Sequence, residues 1–125
     1  MAEILIVDDD EVIRDTLCEL LSIEYRCETA ETAEHALARL EAQRFDVVLT
    51  DISMPGLSGM DLLVRVNKEY PDTSVIIISG NGDEEQVHKL LELGAFDYLM
   101  KPFRLEVVER SVKRVLDRRW SREVF

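Results

Sequence analysis

The chain is poor in the residues that most specialised chemistries need. Among its 125 residues are two cysteines, two histidines, three prolines, five glycines and one tryptophan. Cys18 and Cys27 form no Cys-x-x-Cys pair, which argues against a zinc ribbon or a dithiol redox motif and leaves two buried free thiols as the expectation. His35 and His88 fall on polar helix faces with no partner at metal-ligand spacing. No Gly-Lys-Ser/Thr follows Gly56 and Gly59 or Gly80 and Gly82, so the glycines build no nucleotide loop. No apolar run approaches the roughly 18 residues of a membrane span. The start, Met1-Ala2-Glu3-Ile4-Leu5, has no basic segment that would mark a signal peptide. Basic residues number 15 against 26 acids, a formal net charge of −11, which argues against nucleic-acid binding through the chain's own surface. Together these absences predict a cytoplasmic chain in contact with neither membrane nor nucleic acid.

What is present suits one α/β domain. Hydrophobic residues make up 46% of the chain, enough for a core, and 125 residues leave no room for a second domain. Short apolar runs alternate with helical patterns. Glu3 to Val7 is a first strand, ending in Asp8-Asp9-Asp10. A helix follows from Glu11, with Val12, Leu17, Leu20 and Leu21 facing inward. Tyr25 to Thr29 is a more polar edge strand. Ala30 to Ala42 is helical, with Thr32 as its cap and Ala33, Ala36, Leu37 and Leu40 inside. Phe45 to Thr50 is a strand buried on both faces, and Asp51 stands where it ends. After Pro55 and Gly56, Ser58 caps a helix through Leu62, Leu63 and Val66 to about Tyr70. Ser74 to Ser79 is the most apolar strand, expected to be central, and Gly80-Asn81-Gly82 is a break. Asp83 caps a helix with Val87, Leu90, Leu91 and Leu93 inside, stopped by Gly94. Phe96 to Met100 is the last strand. Leu105, Val108, Val112, Val115 and Leu116 mark a final helix to about Trp120. Five strand–helix repeats with short connections imply a doubly wound five-stranded parallel sheet, flavodoxin-like, with helices on both faces.

In such a sheet all carboxyl ends lie on one edge, where ligands bind. This chain places Asp8 and Asp9 there from strand one, Asp51 from strand three, Ser79 from strand four and Lys101 from strand five. Asp51 alone is equally a turn residue, and Asp8 to Asp10 alone are equally helix-capping acids. In the order 2-1-3-4-5, strands one and three are neighbours and three carboxylates meet. At about 5 Å and an effective dielectric of about 20, each carboxylate pair costs roughly 3 kcal/mol. Either a carboxyl group is protonated more readily or a cation is present. With oxygen ligands only, the cation is a hard one, and few protein oxygens favour Mg²⁺ over Ca²⁺. Lys101 starts two strands from Asp51, roughly 10 Å away in backbone terms, and its long stem brings an ammonium towards that acid. Acids, a divalent cation, a lysine and a hydroxyl form a phosphoryl-transfer constellation with a carboxylate nucleophile.

Val7-Asp8-Asp9, Asp51-Ile52-Ser53-Met54-Pro55-Gly56-Leu57-Ser58-Gly59, Ser79-Gly80 and Tyr98-Leu99-Met100-Lys101-Pro102-Phe103 occur in this order along the chain. In these pieces and their spacing, residues 3 to 120 resemble the receiver domain of bacterial two-component response regulators. The strand order used above is that family's own, so it belongs to the resemblance. The resemblance implies a phosphorylation-dependent signalling switch, not a metabolic enzyme. A histidine kinase or phosphotransfer protein would donate the phosphoryl group to Asp51, with Mg²⁺ bound. Asp9 matches the direct metal ligand, Asp8 the acid acting chiefly through water, and Ser53 the position whose backbone carbonyl ligates the metal. Ser79 matches the hydroxyl that bonds the phosphoryl oxygen. Tyr98 matches the aromatic switch, although a plain core aromatic is also consistent with its pattern. Lys101 matches the phosphate-binding lysine, typically followed by a cis proline bond. Ser53 and Asn81 occupy positions that tune acyl-phosphate hydrolysis, and neither is acidic.

The resemblance sets residues 1–120 as the receiver domain and 121–125 as a tail or the start of a linker. It also implies a homodimer through the fourth helix, fifth strand and fifth helix. Residues 104–125 carry seven Lys/Arg against four acids, a net of +3, so the remainder sums to −14. A salt-bridged face or a dimer surface explains that contrast better than nucleic acid. The run Gly94 to Tyr98 is reminiscent of receivers attached to larger transcription activators. The alternative function is an Asp-nucleophile, Mg²⁺-dependent phosphohydrolase of the haloacid-dehalogenase type. That chemistry typically needs a second acid two residues after the nucleophile, where this chain has Ser53.

Overall fold

The computed structural model describes residues 1–80 and 83–124, and for 119–124 the backbone only. Asn81, Gly82 and the Trp120 side chain, all used in the sequence reading, therefore lie outside what is described. Among the described residues five strands alternate with five helices: β1 Glu3–Val7, α1 Glu11–Leu21, β2 Arg26–Ala30, α2 Ala33–Ala42, β3 Val47–Asp51, α3 Gly59–Glu69, β4 Ser74–Ser79, α4 Glu84–Glu92, β5 Asp97–Met100 and α5 Leu105–Val124. The sheet is parallel throughout, in the order β2-β1-β3-β4-β5.

Side chains alternate across a strand, so each strand feeds both faces of the sheet. Leu5, Val7, Val48, Val75 and Ile77 pack under α2, α3 and α4 with Ala36, Leu40, Leu62, Leu63, Val66 and Leu90. Ile4, Ile6, Leu49, Ile76 and Ile78 pack on the other face with Leu17 and Leu21 of α1 and Val108, Val112 and Val115 of α5. Burial on both faces is why the strands are apolar runs rather than alternating ones. β3 is the middle strand; β4, expected to be central, lies between it and β5.

Each early helix is closed by the residue type its position calls for. Asp10 accepts from the Val12 and Ile13 amides at 2.9 and 3.3 Å, Thr32 from His35 at 3.0 Å, and Asp83 from Gln86 at 2.7 Å. Ser58 and Asp61 form a reciprocal capping box. Gly94, at φ +107°, follows α4 in the left-handed region, and a Cβ there would lie 2.2 Å from Asn67 Nδ2.

The differences from the sequence reading sit at element ends. Ala30 belongs to β2, so α2 begins at Ala33. Alanine suits either element, and pairing with Val7 decides it. Phe45 is fully buried but precedes β3. Val12 is 73% exposed rather than inward, because at roughly 100° per residue it stands on the opposite side of α1 from Leu21, and Ile13, one turn before Leu17, takes the place packed against the core. Leu105, in the first turn of α5, and Leu91, on α4 beside the buried Leu90, are also exposed. α5 continues to Val124, past Trp120. Cys18 and Cys27 are free and half-buried against the α1–α5 core, and burial pushes the Cys27 thiol up.

α3 starts hard against the end of β3. The Gly59 amide donates to the Ile52 carbonyl at 2.9 Å. A Cβ on Gly59 would lie 2.2 Å from the Asp51 carbonyl oxygen and 2.7 Å from Ile52 Cα. Gly59→Ala is therefore expected to destabilise the fold by about 1–3 kcal/mol, read by urea denaturation. In the same assay Leu17→Ala, at 1% exposure, should cost about 2–5 kcal/mol. Val12→Ala should stay within about 0.5 kcal/mol of the parent. Equal losses at positions 12 and 17 would contradict the placement of α1.

Candidate functional site

Strand register decides which side chains meet. Val7 pairs with Thr50, Thr50 with Ile77, and Ile77 with Tyr98. One residue further along, Asp8 follows Val7 and Asp51 follows Thr50, which sets the two acids side by side. Ser79 ends β4 and is buried, and its carbonyl accepts from the Lys101 amide at 2.9 Å. The bond from Lys101 to Pro102 is cis. The four strand ends that sequence reasoning singled out thus share one edge of the sheet.

Carboxylate oxygens of Asp8, Asp9 and Asp51 all lie within 4.8 Å of one another. Asp8 is 1% exposed and Asp51 7%, while Asp9 faces solvent. Lys101 Nζ sits 3.2 Å from Asp8 Oδ2 and 3.4 Å from Asp51 Oδ2, so one ammonium bridges the two buried acids. The sequence argument aimed Lys101 at Asp51; its pairing with Asp8 is an addition from the structure. Burial raises the Asp8 carboxyl above its ordinary range and the neighbouring Asp51 charge adds to this, against the opposing pull of the Asp10 amide and of Lys101. For Lys101 burial acts downward, but the charges of Asp8 and Asp51 outweigh it and raise the ammonium. The two shifts are consistent. Three acids share one lysine, so negative charge remains in excess even after pairing.

That excess, with oxygen as the only donor type, is what a hard divalent cation fits. Asp8 already spends Oδ1 on the Asp10 amide at 2.9 Å and Oδ2 on Lys101. Asp9 and Asp51 are the freer carboxylates of the three. His35 and His88 are exposed on α2 and α4, away from this cluster.

The loop after β3 is held from several sides. Thr50 Oγ1 donates to the Asp51 carbonyl at 2.9 Å, and the Ile52 amide to the Ile78 carbonyl at 3.2 Å. Gly56, at φ +80°, lies under the Glu34 carboxylate, which accepts weakly from the Leu57 amide at 3.4 Å. Ser53 is exposed, two residues past Asp51. Tyr98 is half-buried and packs against the α2–α3–α4 core. Arg14 reaches back from α1 to the Asp8 carbonyl at 2.9 Å. Sequence reasoning missed Arg14, Thr50 and Glu34. Only Arg14 left a signal, a lone cation among Asp8, Asp9, Asp10 and Asp15.

A buried carboxylate beside a lysine, two further acids and a neighbouring strand-end hydroxyl can attack a phosphoryl group and stabilise the product's charge. Comparison with known proteins agrees. A family model described as the response regulator receiver domain matches residues 4–113. The chain is 35% identical to the DNA-binding transcriptional regulator NtrC of Salmonella typhimurium, over 95% of this chain and 26% of that protein. It is also 35% identical to the nitrogen assimilation regulatory protein NtrX of Azorhizobium caulinodans, over 98% of this chain and 28% of that one. The chain thus spans about a quarter of the length of these relatives. The crystal structure of a CheY-like receiver domain protein from Methanospirillum hungatei superposes with a TM-score of 0.93, at 33% identity, covering 98% of each chain. On this evidence the chain belongs to the response regulator receiver domains, the phosphoryl-accepting signalling switches of two-component systems.

Proposed function

We propose that Asp51 is the phosphoacceptor and that a histidine kinase or phosphotransfer protein is the donor. The observation that carries this is the convergence of Asp8, Asp9 and Asp51 with Lys101 bridging the two buried acids. An Asp51 carboxylate oxygen attacks the phosphorus of a phosphohistidine. The new P–O bond forms as the P–N bond breaks, and the imidazole nitrogen leaves with the electron pair. Lys101 turns its ammonium from Asp8 and Asp51 towards the transferred oxygens. Ser79 supplies a hydroxyl donor to the same group, and Tyr98 is the aromatic that responds to it. Asp9, Asp51 and the Ser53 carbonyl would hold Mg²⁺, with Asp8 acting chiefly through water, and the bound ion would supply positive charge against the developing phosphoryl charge. The chain catalyses its own phosphorylation and dephosphorylation and turns over no separate substrate. The added charge shifts an inactive–active equilibrium. The phosphohydrolase alternative gains no support, since Ser53 stands where its second acid is needed.

Residues 1–120 act as the receiver, with 121–125 as a tail or linker start, in the cytoplasm and without direct nucleic-acid contact. No helix among the described residues is long and apolar enough to cross a membrane. Exposed Leu91, Met100, Leu105 and Val107 lie on α4, β5 and α5, which supports a homodimer through that face.

Incubation with a small phosphodonor and Mg²⁺ should label the chain, and Asp51→Asn or chelation of the metal should abolish labelling. Lys101→Ala should slow labelling by about 10²-fold. Labelling of Asp51→Asn at the parent's rate would remove Asp51 as the acceptor. Light scattering should show the mass doubling on adding beryllofluoride with Mg²⁺. A mass that stays at one chain, with labelling intact, would remove the dimer and leave the acceptor in place.

A further inference from the structure

The corner between β1 and α1 is fastened at every polar atom of Asp8. Its amide donates to the Ala30 carbonyl at 3.2 Å. Its two carboxylate oxygens meet the Asp10 amide and Lys101. Its carbonyl, which belongs to the peptide plane joining Asp8 to Asp9, accepts from Arg14 Nη1 at 2.9 Å. Arg14 lies one helical turn beyond the Asp10 cap, with its amide on the Asp10 carbonyl at 3.0 Å. The guanidinium therefore reaches back along α1 from a fixed base. The ion pairs among the described residues do not include Arg14, although Asp9, Asp10 and Asp15 are close in sequence. Its charge is directed at a backbone carbonyl.

We propose that Arg14 is a positioning residue for the metal, because its hold on the Asp8–Asp9 peptide plane sets the direction of the Asp9 carboxylate. This rests on the reading of Asp8, Asp9 and Asp51 as a Mg²⁺ site. Asp9 is the acid that needs such a device. It is exposed, whereas Asp8 and Asp51 are fixed by burial and by Lys101. Rotating one peptide plane swings the following side chain, so a free carbonyl at Asp8 would let Asp9 sample directions away from Asp51. The charge of Arg14 acts in the opposite sense. A cation beside a cation site weakens binding, so a pure field effect makes removal of Arg14 tighten Mg²⁺. Positioning makes removal weaken it, and the sign separates the two.

The test is a Mg²⁺ titration of the unphosphorylated chain followed by amide NMR, on the parent, Arg14→Gln and Arg14→Lys. Groups that orient ligands are worth about 10- to 100-fold in affinity. Arg14→Gln is expected to weaken Mg²⁺ by about 10-fold, to speed hydrogen exchange at the Asp10 amide in the metal-free protein, and to recover the parent's labelling rate at saturating Mg²⁺. Arg14→Lys, which keeps a donor on a long stem, should regain most of the affinity. Arg14→Gln with the parent's native amide spectrum and equal or tighter Mg²⁺ binding overturns the proposal while leaving the metal site intact. A parent that binds no Mg²⁺ overturns both.

Discussion

Everything at the carboxyl edge of this sheet depends on an unfavourable fact: three carboxylates within 4.8 Å of one another, two of them buried. Repulsion and desolvation of this kind are sustained only by structure that leaves the acids no retreat. Backbone hydrogen bonds hold Asp8 and Asp51 at adjacent strand ends, and Lys101 reaches across from β5 to lie between them. A single ammonium cannot neutralise three acids. The residual negative charge is of the kind that a hard cation fits, and it stands beside a lysine that both buried acids share.

The apolar strands make this arrangement durable. Their side chains fill two separate cores, one under α2, α3 and α4 and one under α1 and α5. Stability is thus drawn from the body of the sheet, while the charged residues gather at its rim, where loops and helix caps fix their side chains. The two helices on the second face bracket the site differently. α1 begins at the acid cluster and α5 follows the lysine, so the element pair that closes one core also carries the two chain segments that flank the chemistry.

Most of this was legible in the sequence, because strands buried on both faces are written as unbroken apolar runs and the residues ending them are conspicuous. Asp8, Asp51, Ser79 and Lys101 could be placed on one edge from that alone. The reading failed at Val12, which stands on the opposite side of α1 from Leu21 while Ile13 takes the core-facing place. It failed also at Ala30, which suits a strand as well as a helix. The pairing of Lys101 with Asp8 was not legible, since a strand order gives distances between backbones and not the path of a flexible stem. Arg14 was missed for a related reason. Its partner is a carbonyl, a group every residue has, and no sequence pattern marks which carbonyl a guanidinium will find. The role of Gly59 was not legible either, since its amide and its missing Cβ serve a close approach between two stretches of backbone.

That approach has a mechanical meaning. With no side chain to act as a cushion, the first turn of α3 rests on the peptide that carries Asp51, and the Gly59 amide is tied to the next carbonyl along. The contact is a rigid seat rather than a hinge. The close approach leaves no room for a side chain between the Asp51 peptide and the first turn of α3, so the eleven-residue helix starts from a fixed seat beside the acid cluster and runs from there to Glu69.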